Sequence, residues 1–291
     1  MRGRLAVAIA MVTMVSAFIA APASAGIPGP PGSGYWMLDT DGNVYAFGAA
    51  PFCGSPSQFG EFWGADIVPT PDGLGYWALD ARGGVIGIAC AGMPPEHQNA
   101  YHGDEVFDDM LGADELAVSM SATPDGTGYW VFTDIGRVLA FGTAALHGNL
   151  LNVPLNGPIL DSVATPSGNG YWMVGSDGGV FSFGDAQFYG SMGGRRLNQP
   201  VMAMAPDPDG VGYWLVASDG GIFAFSAPFY GSTGSIRLNQ PVSGMVASPT
   251  GHGYLMAAFD GGVFTFGDVP FHGSLGGHPP AADVYSIAVM P

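Results

Sequence analysis

One phrase recurs along this chain, and a repeat of its length limits the possible folds more than any single residue does. Gly-Tyr followed by Trp or Leu occurs at Gly34, Gly75, Gly128, Gly170, Gly212 and Gly253, at spacings of 41, 53, 42, 42 and 41 residues. Five copies carry a tryptophan (Trp36, Trp77, Trp130, Trp172 and Trp214), and the sixth has Leu255. A turn phrase precedes each later copy: TPDGLG, TPDGTG, TPSGNG, DPDGVG and SPTGHG. The longest shared run is GYWMVGSDGGVFSFGDAQFYGSMGG (170–194), echoed by GYWLVASDGGIFAFSAPFYGSTGS (212–235).

Each unit reads as four short strands. In 242–276 they are VSGMVASP, YLMAAF, VFTFG and FHGSL, bounded by Gly, Pro and Asp. The 48 glycines and 24 prolines agree, since both punctuate turns and weaken helix interiors. The second strand of a unit, such as Tyr213–Ala217, is apolar on both faces, as a strand covered on both sides should be. Four strands per roughly 40 residues, repeated radially so that each small sheet is sandwiched between two others, is the propeller solution. The expectation is therefore an all-β, six-bladed β-propeller of four-stranded blades. The first copy has no leading strand, whereas the chain finishes on DVYSIAVMP, a leading strand with nothing behind it. Val284–Pro291 is expected to close the ring by joining blade one, which removes an exposed sheet edge. Tyr and Trp of the phrase are expected to fill the space between blades, and the Asp-Gly-Gly stretch to form the tight hairpin between the second and third strands.

Repeats of this form resemble those of exported actinobacterial proteins, where they stand alone or accompany a catalytic domain. The resemblance covers nearly all of 34–291 and is strongest in copies four, five and six; copy two departs, with LDARGGVIGIACAGM lacking the VFxFG pattern. It implies the propeller fold and export, and brings no activity with it. In blade size and Trp/Asp-Gly placement the chain is also similar in outline to six-bladed, sugar-binding tectonin propellers. WD40 and kelch repeats match less well.

Residues 1–25 read as a secretory signal peptide: Arg2 and Arg4, then the 16 apolar residues Leu5–Ala20, then Ala23-Ser24-Ala25 as the small-residue cleavage site. That apolar stretch is short for a bilayer span, and no later one is long enough. Residues 26–33 form a short lead and 34–291 one domain. The expected location is secreted, extracellular or associated with the cell envelope, with no membrane span after cleavage. Loss of the two arginines leaves 5 basic residues against 24 acidic ones, and the chain has no lysine. A polyanion repels phosphate backbones, so nucleic acid is not an expected partner. Two cysteines, Cys53 and Cys90, in an exported chain favour a disulfide between blades one and two.

The residues favour a binding module over an enzyme. No Gly-x-Ser-x-Gly elbow sits between a strand and a helix. A glycosidase needs two carboxylates flanking one bond, yet the four glutamates (Glu61, Glu96, Glu105 and Glu115) all fall in the first two units. His102, His147 and His272 share a repeat position with Cys53, Tyr189 and Tyr230, on separate blades, and cannot converge on one metal. Asp41, Asp177, Asp219 and Asp260 head the equivalent hairpins; carboxylates there suit Ca²⁺, but hairpin hydrogen bonding is their ordinary role, so no cofactor is expected.

Two candidate ligand sites remain. Copy two is 11 residues longer than its neighbour, and the extra chain concentrates Glu96, His97, Asp104, Glu105, Asp108 and Asp109. Insertions in repeat proteins map to loops, where rigid scaffolds carry function. The other is a pair of interblade loops, GGRRLNQP and GSIRLNQP, in which Arg196, Asn198 and Gln199 recur as Arg237, Asn239 and Gln240. Their amides and guanidiniums suit sugar hydroxyls or carboxylates. The expected function is an exported, non-catalytic propeller that binds a glycan or a protein outside the cytoplasm; the alternative is a carbohydrate hydrolase or lyase on the same scaffold.

Overall fold

A computed structural model describes residues 29–90 and 111–291. The expected signal peptide, Glu96, His97, Asp104, Glu105, Asp108 and Asp109 lie outside the described residues. The described chain forms six antiparallel sheets of three strands each. Blade one pairs Gly34–Asp39 with Val44–Gly48 and with Val284–Val289 from the other end of the chain. The remaining blades follow in chain order, so that Gly64–Pro69, Ala117–Ala122, Ile159–Ala164, Val201–Pro206 and Val242–Ala247 are the inner strands of blades two to six.

The ring closes as the leading-strand count requires. Tyr35 pairs with Val289 and Leu38 with Ser286, and Met290 N–H donates to the Gly34 carbonyl at 3.0 Å. Each inner strand also packs beside the inner strands of both neighbouring blades.

The repeated phrase builds the seams between blades. Each described middle strand is buried along its length, because the blades on either side cover both of its faces. The Trp ring of one blade meets the Tyr ring of the next at 5.5–6.0 Å: Trp36 with Tyr76, Trp130 with Tyr171, Trp172 with Tyr213 and Trp214 with Tyr254. Trp172 Nε1 donates to Gln187 O at 2.8 Å, on the connection leaving its own blade. Tyr213 Oη donates to Gly190 O at 2.6 Å, on the connection arriving from the preceding blade. Each pair thus ties two blades and their connection together, so burial and hydrogen bonding act at the same place.

Among the described residues, the expected fourth strand does not form. Its segment leaves the sheet of its own blade and lies against the outer strand of the next; a Cβ on Gly190 would stand 2.5 Å from Phe225 Cδ1. The backbone donors that a ladder would use go to tyrosine instead, with Tyr189 N–H and Gly190 N–H both donating to Tyr213 Oη, at 3.2 and 3.1 Å. Positive φ at Gly190, 136°, turns the chain away from strand geometry there. In blade two, Val85–Ala89 forms the outer strand without the VFxFG pattern.

Candidate functional site: rim bays and a central channel

The inner strands surround a central cavity of about 540 Å³. Their third residues, read around the ring, are Asp66, Ser119, Asp161, Ala203, Gly244 and Ser286. An innermost strand leaves backbone N–H groups facing the axis without a ladder partner, and these side chains receive them. Asp66 accepts Met120 N–H of blade three at 2.8 Å, Asp161 accepts Met204 N–H of blade five at 2.8 Å, and Ser119 Oγ accepts Ser162 N–H at 3.2 Å. Ser286 Oγ accepts Ile67 N–H at 3.3 Å and donates to Asp66 at 2.6 Å. Burial pushes Asp66 up to about 6. Burial and the neighbouring Asp66 charge push Asp161 up to about 7. This polar ring was missed in the sequence, although a polar residue at the third place of an apolar leading strand was the signal.

At the end of the ring where the inner strands begin, a second kind of site repeats. A cavity of about 260 Å³ in blade four is lined by Asn156, Asp177, Gly179, Phe181, Ser191 and Gly193. In blade six a cavity of about 190 Å³ is lined by the matching residues Asn239, Asp260, Gly262, Phe264, Ser274 and Gly276, together with Gln240. Blade five carries Asn198, Asp219, Gly221, Phe223, Ser232 and Gly234 at the same repeat positions. The floor depends on two backbones in contact: a Cβ on Gly193 would lie 3.0 Å from Gly179 Cα, and one on Gly276 3.1 Å from Gly262 Cα.

Each hairpin aspartate spends one carboxylate oxygen on its own turn. Asp177 Oδ1 accepts Gly179 N–H at 2.8 Å, Asp219 Oδ1 accepts Gly221 N–H at 3.0 Å, and Asp260 Oδ1 accepts Gly262 N–H at 2.9 Å. In blade four the other oxygen, Asp177 Oδ2, accepts from Asn156 Nδ2 at 3.3 Å. Asp41 is a correction: in blade one the turn N–H groups of Asp41 and Asn43 go to Asp39 Oδ1, at 3.0 and 2.8 Å. The blade-one hairpin has the same length as that of blade four, but Asp39 stands at its strand end where blade four has Gly175, and supplies the acceptor.

Of the interblade candidates, Asn239 and Gln240 come together with Asp260 in the blade-six bay. Arg237 is exposed and is not part of that wall. Arg196, Asn198 and Gln199 are exposed on the matching loop, with Gln199 Oε1 accepting Ser218 Oγ at 3.5 Å. Glu115, beside the insertion, is committed to an ion pair with Arg137 at 2.8 Å. His147 and His272 are half-buried at the seams, 5.6 Å from the Tyr171 ring and 5.8 Å from the Tyr35 ring. Cys53 and Cys90 are disulfide-bonded.

No family model matches the sequence, and no curated protein matches it either. Solved structures do match. A chain in the crystal structure of a nidogen/laminin complex superposes with a TM-score of 0.59 at 8% identity, over 89% of this chain and 98% of that one. The β-propeller domain of Cps50 (Swd1) from Myceliophteria thermophila gives a TM-score of 0.48 at 11% identity, over 70% of this chain and 65% of that one, so the match spans just under two thirds of the domain. The fold is a β-propeller. At such identities the likeness concerns the scaffold alone, and the bays and the polar ring are read from this chain's own residues.

Proposed function

We propose that the chain is an exported, non-catalytic binding module that engages a glycan or protein ligand of the cell envelope or its surroundings at several equivalent positions. The observation that carries this reading is the recurrence of one bay, with the same residue types, on blades four and six, and of the same residues at the matching positions of blade five. Catalysis needs one constellation around one bond, whereas a repeated shallow site raises the affinity for a repetitive ligand by multivalency. The nidogen/laminin complex is an assembly of two proteins, which is consistent with such a scaffold presenting a recognition surface.

The alternative, a carbohydrate hydrolase or lyase, rests on Asp66 and Asp161, two carboxylates with raised pKa values in a central cavity. Their oxygens are engaged by the N–H groups that link blade two to three and four to five, which favours a structural role for both. A glycan array run beside a panel of chromogenic glycosides separates the readings. Saturable binding without turnover is expected; turnover of any glycoside, lost in Asp161→Asn, would overturn the binding-module reading.

A further inference from the structure

Resting on the binding-module reading, we infer that the bays of blades four and six, and the matching position of blade five, are sites for a neutral pyranoside, one sugar ring in each, held through two adjacent hydroxyls. The chemistry follows from the groups that recur at all three positions. In blade four the outward oxygen of Asp177 is a charged acceptor beside the exposed amide of Asn156, which both donates and accepts; Asp260 and the exposed Asn239 line the blade-six bay together, and Asp219 and Asn198 hold the same repeat positions in blade five. A vicinal pair of hydroxyls presents donor and acceptor lone pairs at a matching separation. Charge-assisted hydrogen bonds of this kind are the stronger class.

Half-buried Phe181 and Phe264 give the blade-four and blade-six bays an apolar wall for the C–H face of a ring, with Phe223 at the equivalent place in blade five. The Gly179–Gly193 and Gly262–Gly276 contacts keep the floor open, since any side chain there would fill it. Cavities of about 260 and 190 Å³ accept one sugar ring and little more.

Charge selects among sugars. Every bay carries a carboxylate, in a chain of formal net charge −17, which disfavours uronates and other anionic sugars. Arg196 and Arg237 would otherwise favour an acidic sugar, but the corresponding position in the blade-four loop is Pro154. The set common to all three positions therefore has no cation. A single bay with a few hydrogen bonds binds weakly, so useful affinity requires a polymer that spans adjacent blades.

The test uses the intact protein with methyl glucoside, methyl galactoside and methyl mannoside followed by NMR, and with dextran, galactan and mannan followed by calorimetry. At least one glycoside is expected to bind weakly, with its polymer bound at least about 100-fold tighter. The triple variant Asn156→Ala, Asn198→Ala and Asn239→Ala alters only exposed side chains and is expected to keep the wild-type melting temperature while losing that polymer advantage. A triple variant that still binds the polymer as the wild type does would overturn the bays and leave the binding-module reading standing. Wild-type protein that binds none of the six probes but captures a protein ligand would overturn the sugar assignment alone, and turnover of a probe would overturn both.

Discussion

Cys53, on the connection leaving blade one, is bonded to Cys90, which follows the outer strand of blade two. The same repeat position holds Tyr189, whose Oη donates to Gly210 O of the next blade at 2.8 Å, and Tyr230, whose Oη donates to Gly251 O at 2.9 Å. His272 approaches Gly32 O at 3.4 Å in the same way. The disulfide thus does covalently at one seam what a side-chain hydrogen bond does at others. For a separation of 37 residues, loop-closure entropy alone is worth about 4 kcal/mol. Cys53→Ser with Cys90→Ser is expected to lower unfolding stability by about 2–4 kcal/mol in denaturant titrations. Unreduced protein should show no labelled thiol, and labelling of both cysteines would remove the bond.

Loss of Val284–Pro291 should unravel the ring. Truncation is usually tolerated at a loose terminus. Here it removes the partner of Gly34–Asp39, the Ser286 bond to Asp66, and the buried Val284, Ile287, Ala288 and Met290. At about 25 cal/mol per Å² of apolar surface, those side chains contribute several kcal/mol, against a total of about 5–15 kcal/mol for a typical domain. The truncated protein is expected to aggregate or melt far lower, with partial rescue by the peptide added in trans. A soluble, monomeric, equally stable truncate would show that closure is dispensable.

Gly190 illustrates what a connection tolerates. Its φ of 136° is strained for any residue with a side chain, and the added Cβ would overlap Phe225, which is fixed in the seam. Gly190→Ala should cost about 1–3 kcal/mol. Gly194, also at positive φ but with open space around it, is the control: Gly194→Ala should cost less, from backbone strain alone. Equal thermal shifts for the two would remove the overlap as a cause.

Periodicity made the ring legible before any coordinates. The count of Gly-Tyr copies, five with Trp and one with Leu255, matches the six sheets, and the unpaired leading strand at Val284–Val289 finds Gly34–Asp39. The fourth strand was misread because FYGS looks like a strand by composition, while its donors bond to Tyr213 Oη on the neighbouring blade, a partner that no local pattern reveals. Asn239 and Gln240 were legible as candidates because their phrase recurs. Asp260 and Phe264 were not joined to them, because the bay forms only when the loop arriving from blade five lies beside the blade-six hairpin. Asp66 and Asp161 were hidden for another reason: three-dimensional closure brings residues far apart in the chain around one axis.

Those two aspartates fix an expected pH dependence. Burial raises Asp66 to about 6 and Asp161 to about 7, whereas an aspartate in the unfolded chain titrates near about 3.9. Between those limits the folded protein holds more protons than the unfolded one, so their contribution to stability is largest at low pH and falls as pH rises toward about 7. Other carboxylates act with the opposite sign. The Thr123 and Thr127 hydroxyls hold Asp125 down to about 2, and the Thr250 hydroxyl lowers Asp268. Asp80 and Glu115, despite burial that raises them, are held low by Arg82 and Arg137. Stability from these four is present above about 4 and is lost below it. Unfolding stability should therefore peak between about pH 4 and 5 and decline toward pH 7.5. Part of that decline comes from general repulsion in a chain of net charge −17, which replacing two carboxylates leaves nearly unchanged. Denaturant titrations at pH 4.5, 6 and 7.5 on wild type and on Asp66→Asn with Asp161→Asn isolate the pair: the variant's slope should be shallower whatever its absolute stability. Identical slopes, or a wild type that gains stability from pH 4.5 to 7.5, would show that the two carboxyls ionise as freely in the folded ring as they do in the unfolded chain.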